Sequence, residues 1–166
     1  MKPRLQSGVT LLELAIAMAV LVILATLALP SFSARVSRER LTYAAETLAA
    51  DISEARFQAA RTGQALQVRA QTGTDWCWSV STAPACDCAQ AQACQVHRVQ
   101  AASFGNVKLL QASAVQLAPD GTARSLEPRA ATLQGPGGEQ LVVSVGPLGR
   151  PRICVAAGQV GRYPGC

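Results

Sequence analysis

The chain has 166 residues, which is enough for one long helix and one modest globular domain but excludes several independent domains. Its formal net charge of +5 is a mild excess, so the placement of the basic residues matters more than their number. From Gln95 to the C-terminus there are seven basic and three acidic residues, so positive charge is concentrated there. We find no internal repeat and no long low-complexity linker.

The N-terminus combines a short basic leader with a long apolar segment. Lys2 and Arg4 precede Gly8, and the apolar segment then extends from Val9 to Leu29 with Glu13 inside it. As a helix this segment would be about 32 Å long, enough to cross a bilayer once. The basic residues predict that its N-terminal end stays in the cytoplasm. A carboxylate at membrane depth costs at least ~2.5 kcal/mol and usually marks a functional position.

The stretch Ser7-Gly8-Val9-Thr10-Leu11-Leu12-Glu13-Leu14 resembles the N-terminus of a type IV prepilin or pseudopilin. The resemblance implies that a prepilin peptidase cuts after Gly8 and that Val9, where the family usually has Phe, becomes the N-methylated first residue. It also implies that Glu13 pairs with the N-terminal amine of a neighbouring subunit during assembly. An ordinary secretory signal peptide and a plain membrane anchor are the alternatives, but neither explains Glu13.

An amphipathic pattern follows Pro30 and continues to a stop signal at Thr62-Gly63. Apolar residues at three- and four-residue steps predict a helical face that packs against a globular head. The members of this face are Leu41, Ala44, Ala45, Leu48, Ile52, Ala55 and Ala59. We therefore expect a leader at residues 1–8, a transmembrane and assembly helix at residues 9–62, and a periplasmic head at residues 63–166.

Short alternating segments separated by turn residues predict β-strands throughout the head. The predicted strands are residues 65–69, 76–80, 96–99, 107–110, 114–117, 131–133, 141–145 and 153–155. Turns at such short intervals indicate an antiparallel sheet or sandwich. The predicted fold class is therefore α+β, with a long N-terminal helix, half in the membrane and half amphipathic, packed on a C-terminal antiparallel β-head. The resemblance implies the same arrangement, the pilin fold.

The cysteine content indicates an oxidising compartment. The six cysteines are Cys77, Cys86, Cys88, Cys94, Cys154 and Cys166. The sequence does not choose among their possible pairings. Cys86-Asp87-Cys88 could belong to a metal site, but there is no second close pair and only one histidine, His97, so disulfides are favoured. We expect no metal and no cofactor.

Three stretches of the head carry a narrower resemblance. Residues 76–80, 117–121 and 143–152 resemble the corresponding parts of the FimT/GspH family of minor pilins and pseudopilins. Gly149-Arg150-Pro151-Arg152 is similar to the Gly-Arg-x-Arg motif of the FimT branch, and a cysteine-closed tail from Cys154 to Cys166 follows it. Family members with this motif are associated with DNA binding during natural transformation.

The C-terminal arginines are candidates for phosphate binding. A Cys154–Cys166 bridge would constrain a loop carrying Arg162, and we expect its guanidinium to lie near those of Arg150 and Arg152. Such a surface would bind DNA weakly, with strong salt dependence and no sequence preference. Further candidates for DNA binding are Lys108, Arg124 and Arg129. The alternative is that Arg150 and Arg152 occupy an exposed turn, with one of them paired to an acidic neighbour.

The predicted function is that of a minor type IV pilin that is incorporated into the pilus and binds extracellular DNA non-specifically for natural transformation. The expected partners are other pilins through the N-terminal helix, the prepilin peptidase, the inner membrane and DNA. The expected location is the inner membrane, with a single span and a periplasmic head, and then the pilus or pseudopilus.

Three alternatives to this function remain. A structural minor pilin could prime pilus assembly, a GspH-type pseudopilin could serve type II secretion, and a membrane-anchored protein could act as a periplasmic adaptor. No serine has a histidine and an aspartate arranged to activate it, so we expect no enzyme activity.

Overall fold

The computed structural model describes residues 10–125 and 129–166, and the predicted cleavage site at Gly8 and Val9 lies outside them. The chain divides into two units, Met1–Val36 and Ser37–Cys166. The expected membrane span from Val9 to Leu29 begins outside the described residues, and within them no helix is long and apolar enough to cross a membrane.

Helix α1 comprises Leu11–Thr62. At its start the backbone N–H of Glu13 donates to Oγ1 of Thr10 at 3.3 Å, which satisfies one of the free donors at the helix N-terminus. At its end Gly63 has φ +69° and donates its N–H to the carbonyl of Ala59. Glycine adopts this left-handed conformation without steric cost, so the helix stops there.

Two antiparallel sheets form the head. The first sheet has the strand order β3-β2-β1-β5-β6, and the second has the order β4-β7-β8-β9. The strands of the first are β1 (Leu66–Gln71), β2 (Cys77–Ser81), β3 (Gln95–Gln100), β5 (Val115–Leu117) and β6 (Ala123–Ser125). Those of the second are β4 (Lys108–Ala112), β7 (Arg129–Gln134), β8 (Gln140–Val145) and β9 (Pro151–Ala157). The α+β fold class is therefore confirmed.

The hydrophobic core lies between α1 and the inner faces of the sheets. All seven apolar residues predicted to form the inner face of the helix are buried. Trp76, Trp78 and Phe104 stack on one another with ring centroids 5.5–5.6 Å apart. The indole of Trp76 donates to the carbonyl of Val107 at 2.7 Å, and that of Trp78 to Oδ2 of Asp51 at 2.6 Å. These hydrogen bonds join the aromatic centre of the core to the helix and to the residue that precedes β4.

All six cysteines form disulfides, which resolves the pairing that the sequence left open. The pairs are Cys77–Cys88, Cys86–Cys94 and Cys154–Cys166. The first two interleave and fix the loop between β2 and β3. Arg98 donates to the carbonyls of Cys88 and Ala89 at 2.6 and 2.8 Å, and Arg69 donates to that of Pro84. The loop is therefore held by both covalent bonds and hydrogen bonds.

Candidate nucleic-acid interface

The turn between β8 and β9 presents Arg150 and Arg152. Gly149 donates its N–H to the carbonyl of Gly146 at 2.9 Å, which closes the turn. Its φ of +67° is a conformation that L side chains rarely adopt, so the turn requires glycine at this position. Arg150 follows in the turn and Arg152 lies near the start of β9, and both are exposed.

Arg129 lies in register with Arg152 on the second sheet. Ser144 of β8 pairs with Arg129 on one side and with Arg152 on the other. Because neighbouring strands are about 4.8 Å apart, the backbones of the two arginines are about 10 Å apart. Ile153 of β9 packs against the core, so the side chain of Arg152 projects from the opposite face of the sheet.

Arg124 joins these residues from the first sheet. The N–H of its neighbour Ala123 donates to the carbonyl of Pro147 at 2.8 Å, which places β6 beside the β8–β9 turn. Asp120 is the nearby acid: hydrogen bonds from Thr122 hold the pKa of its carboxyl below the usual value, and the charge of Arg124 adds to this effect. We name Arg124, Arg129, Arg150 and Arg152 the arginine surface.

The arginine surface is not neutralised by ion pairs within the described parts of the chain. None of its four side chains has an ion-pair partner there. Glu127, the acidic residue between Arg124 and Arg129 in the sequence, lies outside the described residues. Two of the described acids elsewhere are paired with other arginines: Glu139 pairs with Arg38 at 2.9 Å, and Glu46 pairs with Arg162 at 3.0 Å.

Two of the predicted phosphate-binding residues lie apart from this surface. Lys108 pairs with Gln134 at the far end of β7 from Arg129, about 17 Å along the strand. Arg162 donates to Glu46 of α1, so its guanidinium lies on the core side of β9, whereas Arg152 projects from the other side. From the sequence, Arg162 is predicted to lie near Arg150 and Arg152. The structure differs because Glu46, distant in sequence, supplies a closer partner.

The tail closed by Cys154–Cys166 is docked on α1 through the same carboxylate. The hydroxyl of Tyr163 donates to Oε1 of Glu46 at 2.6 Å. Partial burial and the carboxylate beside it raise the pKa of Tyr163 to about 12. Val160 is buried in the core, which anchors the other side of this loop.

An absorbance titration at alkaline pH should detect the contact between Tyr163 and Glu46. Because the pKa of Tyr163 is raised, this contact stabilises the tail fully below the ordinary tyrosine range and is lost as the pH rises through about 12. We expect a phenolate step near pH 12 that is absent in Tyr163→Phe and occurs at lower pH in Glu46→Gln. A titration curve unchanged by Glu46→Gln would contradict the contact.

Glu13 lies in the first turn of α1 with its side chain exposed, so the carboxylate is accessible to a second molecule. Within residues 10–125 and 129–166 no group of three His, Cys, Asp or Glu residues could hold a metal ion. The Cys86-Asp87-Cys88 stretch has both of its thiols in disulfides.

A long N-terminal helix on an antiparallel head, with a methylation-type N-terminus, defines the class of pilin-like subunits. The family model for the type II transport protein GspH matches residues 44–149, more than half of the chain, and the prokaryotic N-terminal methylation motif matches residues 3–29. The chain therefore belongs to the GspH family of type IV minor pilins and pseudopilins. Members of this class are structural subunits that associate with other pilins.

The N-terminal methylation motif implies a subunit that is anchored in the membrane before it enters a pilus or pseudopilus. Among solved structures, the crystal structure of the Pseudomonas aeruginosa (strain PAO1) type IV minor pilin FimU is similar at 19% identity. The similarity covers 70% of this chain and 92% of that chain, with a TM-score of 0.46. No curated protein sequence matches the chain.

Proposed function

We propose that this protein is a minor type IV pilin that binds extracellular DNA non-specifically, for uptake in natural transformation. The observation that supports the proposal is the arginine surface, four exposed guanidiniums around the β8–β9 turn that have no ion-pair partner among residues 10–125 and 129–166. Arginine stays charged at all physiological pH values and matches phosphate oxygens with a fork of N–H donors. A polyanion with closely spaced phosphates is therefore the ligand class that suits this surface.

The surface suits the DNA backbone rather than the edges of bases. Its arginines come from one turn and three strands, and no described helix or ribbon projects from it into a groove. Contacts with phosphates fix a protein on DNA but carry no sequence information. We therefore propose binding that depends steeply on salt and is indifferent to sequence.

The N-terminal residues have separate roles in this proposal. The prepilin peptidase cuts after Gly8, and Val9 becomes the methylated first residue of the mature helix at residues 9–62. The carboxylate of Glu13 then pairs with the N-terminal amine of a neighbouring pilin in the fibre. The head at residues 63–166 presents the arginine surface outside the membrane.

Binding of the full-length oxidised chain to a labelled DNA duplex, measured by fluorescence anisotropy in non-ionic detergent, tests the proposal. If all four arginines contact phosphates, we expect affinity to fall about tenfold between roughly 0.1 and 0.2 M salt. Two duplexes of unrelated sequence should bind equally. Absence of binding at the lower salt concentration, or a clear preference for one duplex, would contradict the proposal.

A second candidate function is a structural one, as a pilin that primes assembly or as a minor pseudopilin of type II secretion. The match to the GspH family model favours it, because that model is described by type II transport. Complementation of a deletion strain with an Arg150→Ala/Arg152→Ala gene separates the two functions. A structural role predicts restored assembly or secretion and no transformation defect, whereas DNA uptake predicts restored assembly with transformation lost.

A further inference from the structure

Arg56, which is not part of the arginine surface, contacts the turn that carries Arg150. Arg56 is a half-buried residue of α1, and its Nε–H donates to the carbonyl oxygen of Gly121 at 3.0 Å. Gly121 belongs to the turn between β5 and β6. Within the described parts of the chain no carboxylate pairs with Arg56. The arginine is therefore bound to a backbone carbonyl rather than to an acid.

The same side chain contacts the β8–β9 turn. A Cβ at position 149 would lie 2.8 Å from Cδ of Arg56 and 2.8 Å from the carbonyl oxygen of Gly121, closer than real Cβ atoms approach. Gly149 therefore contacts both the side chain of Arg56 and the carbonyl of Gly121, and there is no room for a side chain at position 149. This contact gives the glycine before Arg150 a second requirement, in addition to its positive φ.

The two turns are also joined by their backbones. Ala123 donates its N–H to the carbonyl of Pro147 at 2.8 Å, so the β8–β9 turn is held from the side by β6 and from below by Arg56. Arg150 and Arg152 follow immediately in the chain. Any displacement of the turn at Gly149 would therefore move the exposed guanidinium next to it.

We propose that Arg56 is a positioning residue for anion binding: its hydrogen bond to Gly121 fixes the surface on which Gly149 rests and so sets the direction of Arg150 and Arg152. The DNA part of this inference rests on the proposed function, whereas the structural part does not. Arg56 acts through the turn and does not itself contact phosphate.

Two substitutions separate the hydrogen bond of Arg56 from its charge. Arg56→Gln removes the charge but keeps an N–H donor attached to Cδ, where the Nε of arginine stands. Arg56→Met has a similar shape and neither donor nor charge. The two variants are matched in charge, so a difference between them reports the hydrogen bond to Gly121.

We expect amide hydrogen exchange at Gly149, followed by NMR, to be about tenfold faster in Arg56→Met, and duplex DNA to bind about tenfold more weakly, with the salt dependence unchanged. Arg56→Gln should retain both the protection and most of the affinity. Equal losses of affinity in the two variants, with a salt slope lower by about one, would overturn the inference in favour of direct phosphate contact. Unchanged exchange in Arg56→Met would also overturn it.

The outcomes remain distinct if a variant fails to fold or if DNA is not the ligand. If thermal melting shows that Arg56→Met is unfolded, Arg56→Gln alone decides, since only direct phosphate contact predicts a weaker, less salt-dependent complex for it. If the unaltered chain binds no DNA, the proposed function fails, and the exchange comparison still decides whether Arg56 fixes the turn.

Discussion

The Arg150→Ala/Arg152→Ala chain is expected to bind duplex DNA about 100-fold more weakly than the unaltered chain near 0.1 M salt. Each guanidinium makes a charge-assisted contact worth about 1.5 kcal/mol or more, and two such contacts amount to about two powers of ten. The slope of log affinity against log salt should fall by about two units. Anisotropy titrations of the full-length oxidised chain at several salt concentrations measure both quantities.

A matched control removes the same charge from another part of the head. Arg40 and Lys108 are exposed, Arg40 precedes Arg56 by about 24 Å along α1, and Lys108 lies at the far end of β7 from Arg129. We expect Arg40→Ala/Lys108→Ala to reduce affinity less than threefold or so, through the weak long-range field alone. Equal losses in the two double variants would mean that net charge, and not the arginine surface, determines binding.

Trp78→Ala is expected to lower the free energy of unfolding of the head by about 4 kcal/mol. Trp78 is fully buried and stacks on Trp76 and Phe104, so truncation leaves a large cavity at the centre of the core. It also removes the N–H donor from Asp51, whose other nearby partner is His97 at 3.6 Å. Urea unfolding of the oxidised chain, followed by the fluorescence of Trp76, measures the change.

Trp78→Phe is the control for the hydrogen bond to Asp51. It keeps an aromatic ring in the stack and should cost only about 1–3 kcal/mol, part of which is the loss of the donor. If Trp78→Ala lowers the free energy of unfolding no more than Trp78→Phe does, the buried indole does not stabilise the core, and the prediction is wrong.

Much of the fold could be predicted because its elements have strong local signals. The helix face from Leu41 to Ala59 repeats at helical spacing and is buried as expected, and β8, a nearly continuous apolar segment, is found within one residue of its prediction. The sequence does not predict strand β6, because Ala123-Arg124-Ser125 is short and has no alternation of apolar and polar residues. Its strand conformation depends on pairing with β5, a contact that the local sequence does not encode.

The candidate site was predictable in part. The Gly149–Arg152 motif indicated two exposed arginines, and the structure shows both exposed. The partner of Arg162 could not be inferred, because Glu46 is 116 positions away and meets it only in the folded chain. In the sequence, Arg56 is one of several charged residues along the helix, and no local pattern distinguishes it from the others. Its specific contacts, with Gly121 and Gly149, form only in the folded chain, where the β5–β6 turn and the β8–β9 turn lie side by side.

The interleaved disulfides of the β2–β3 loop have a consequence for biogenesis. If cysteines pair in the order of their synthesis, Cys77 joins Cys86 and Cys88 joins Cys94, whereas the folded head contains Cys77–Cys88 and Cys86–Cys94. Oxidation in order of synthesis therefore produces a misfolded chain that must exchange both bonds. The yield of native protein then depends on disulfide isomerisation rather than on oxidising strength, and an isomerase should raise it more than a stronger oxidant does.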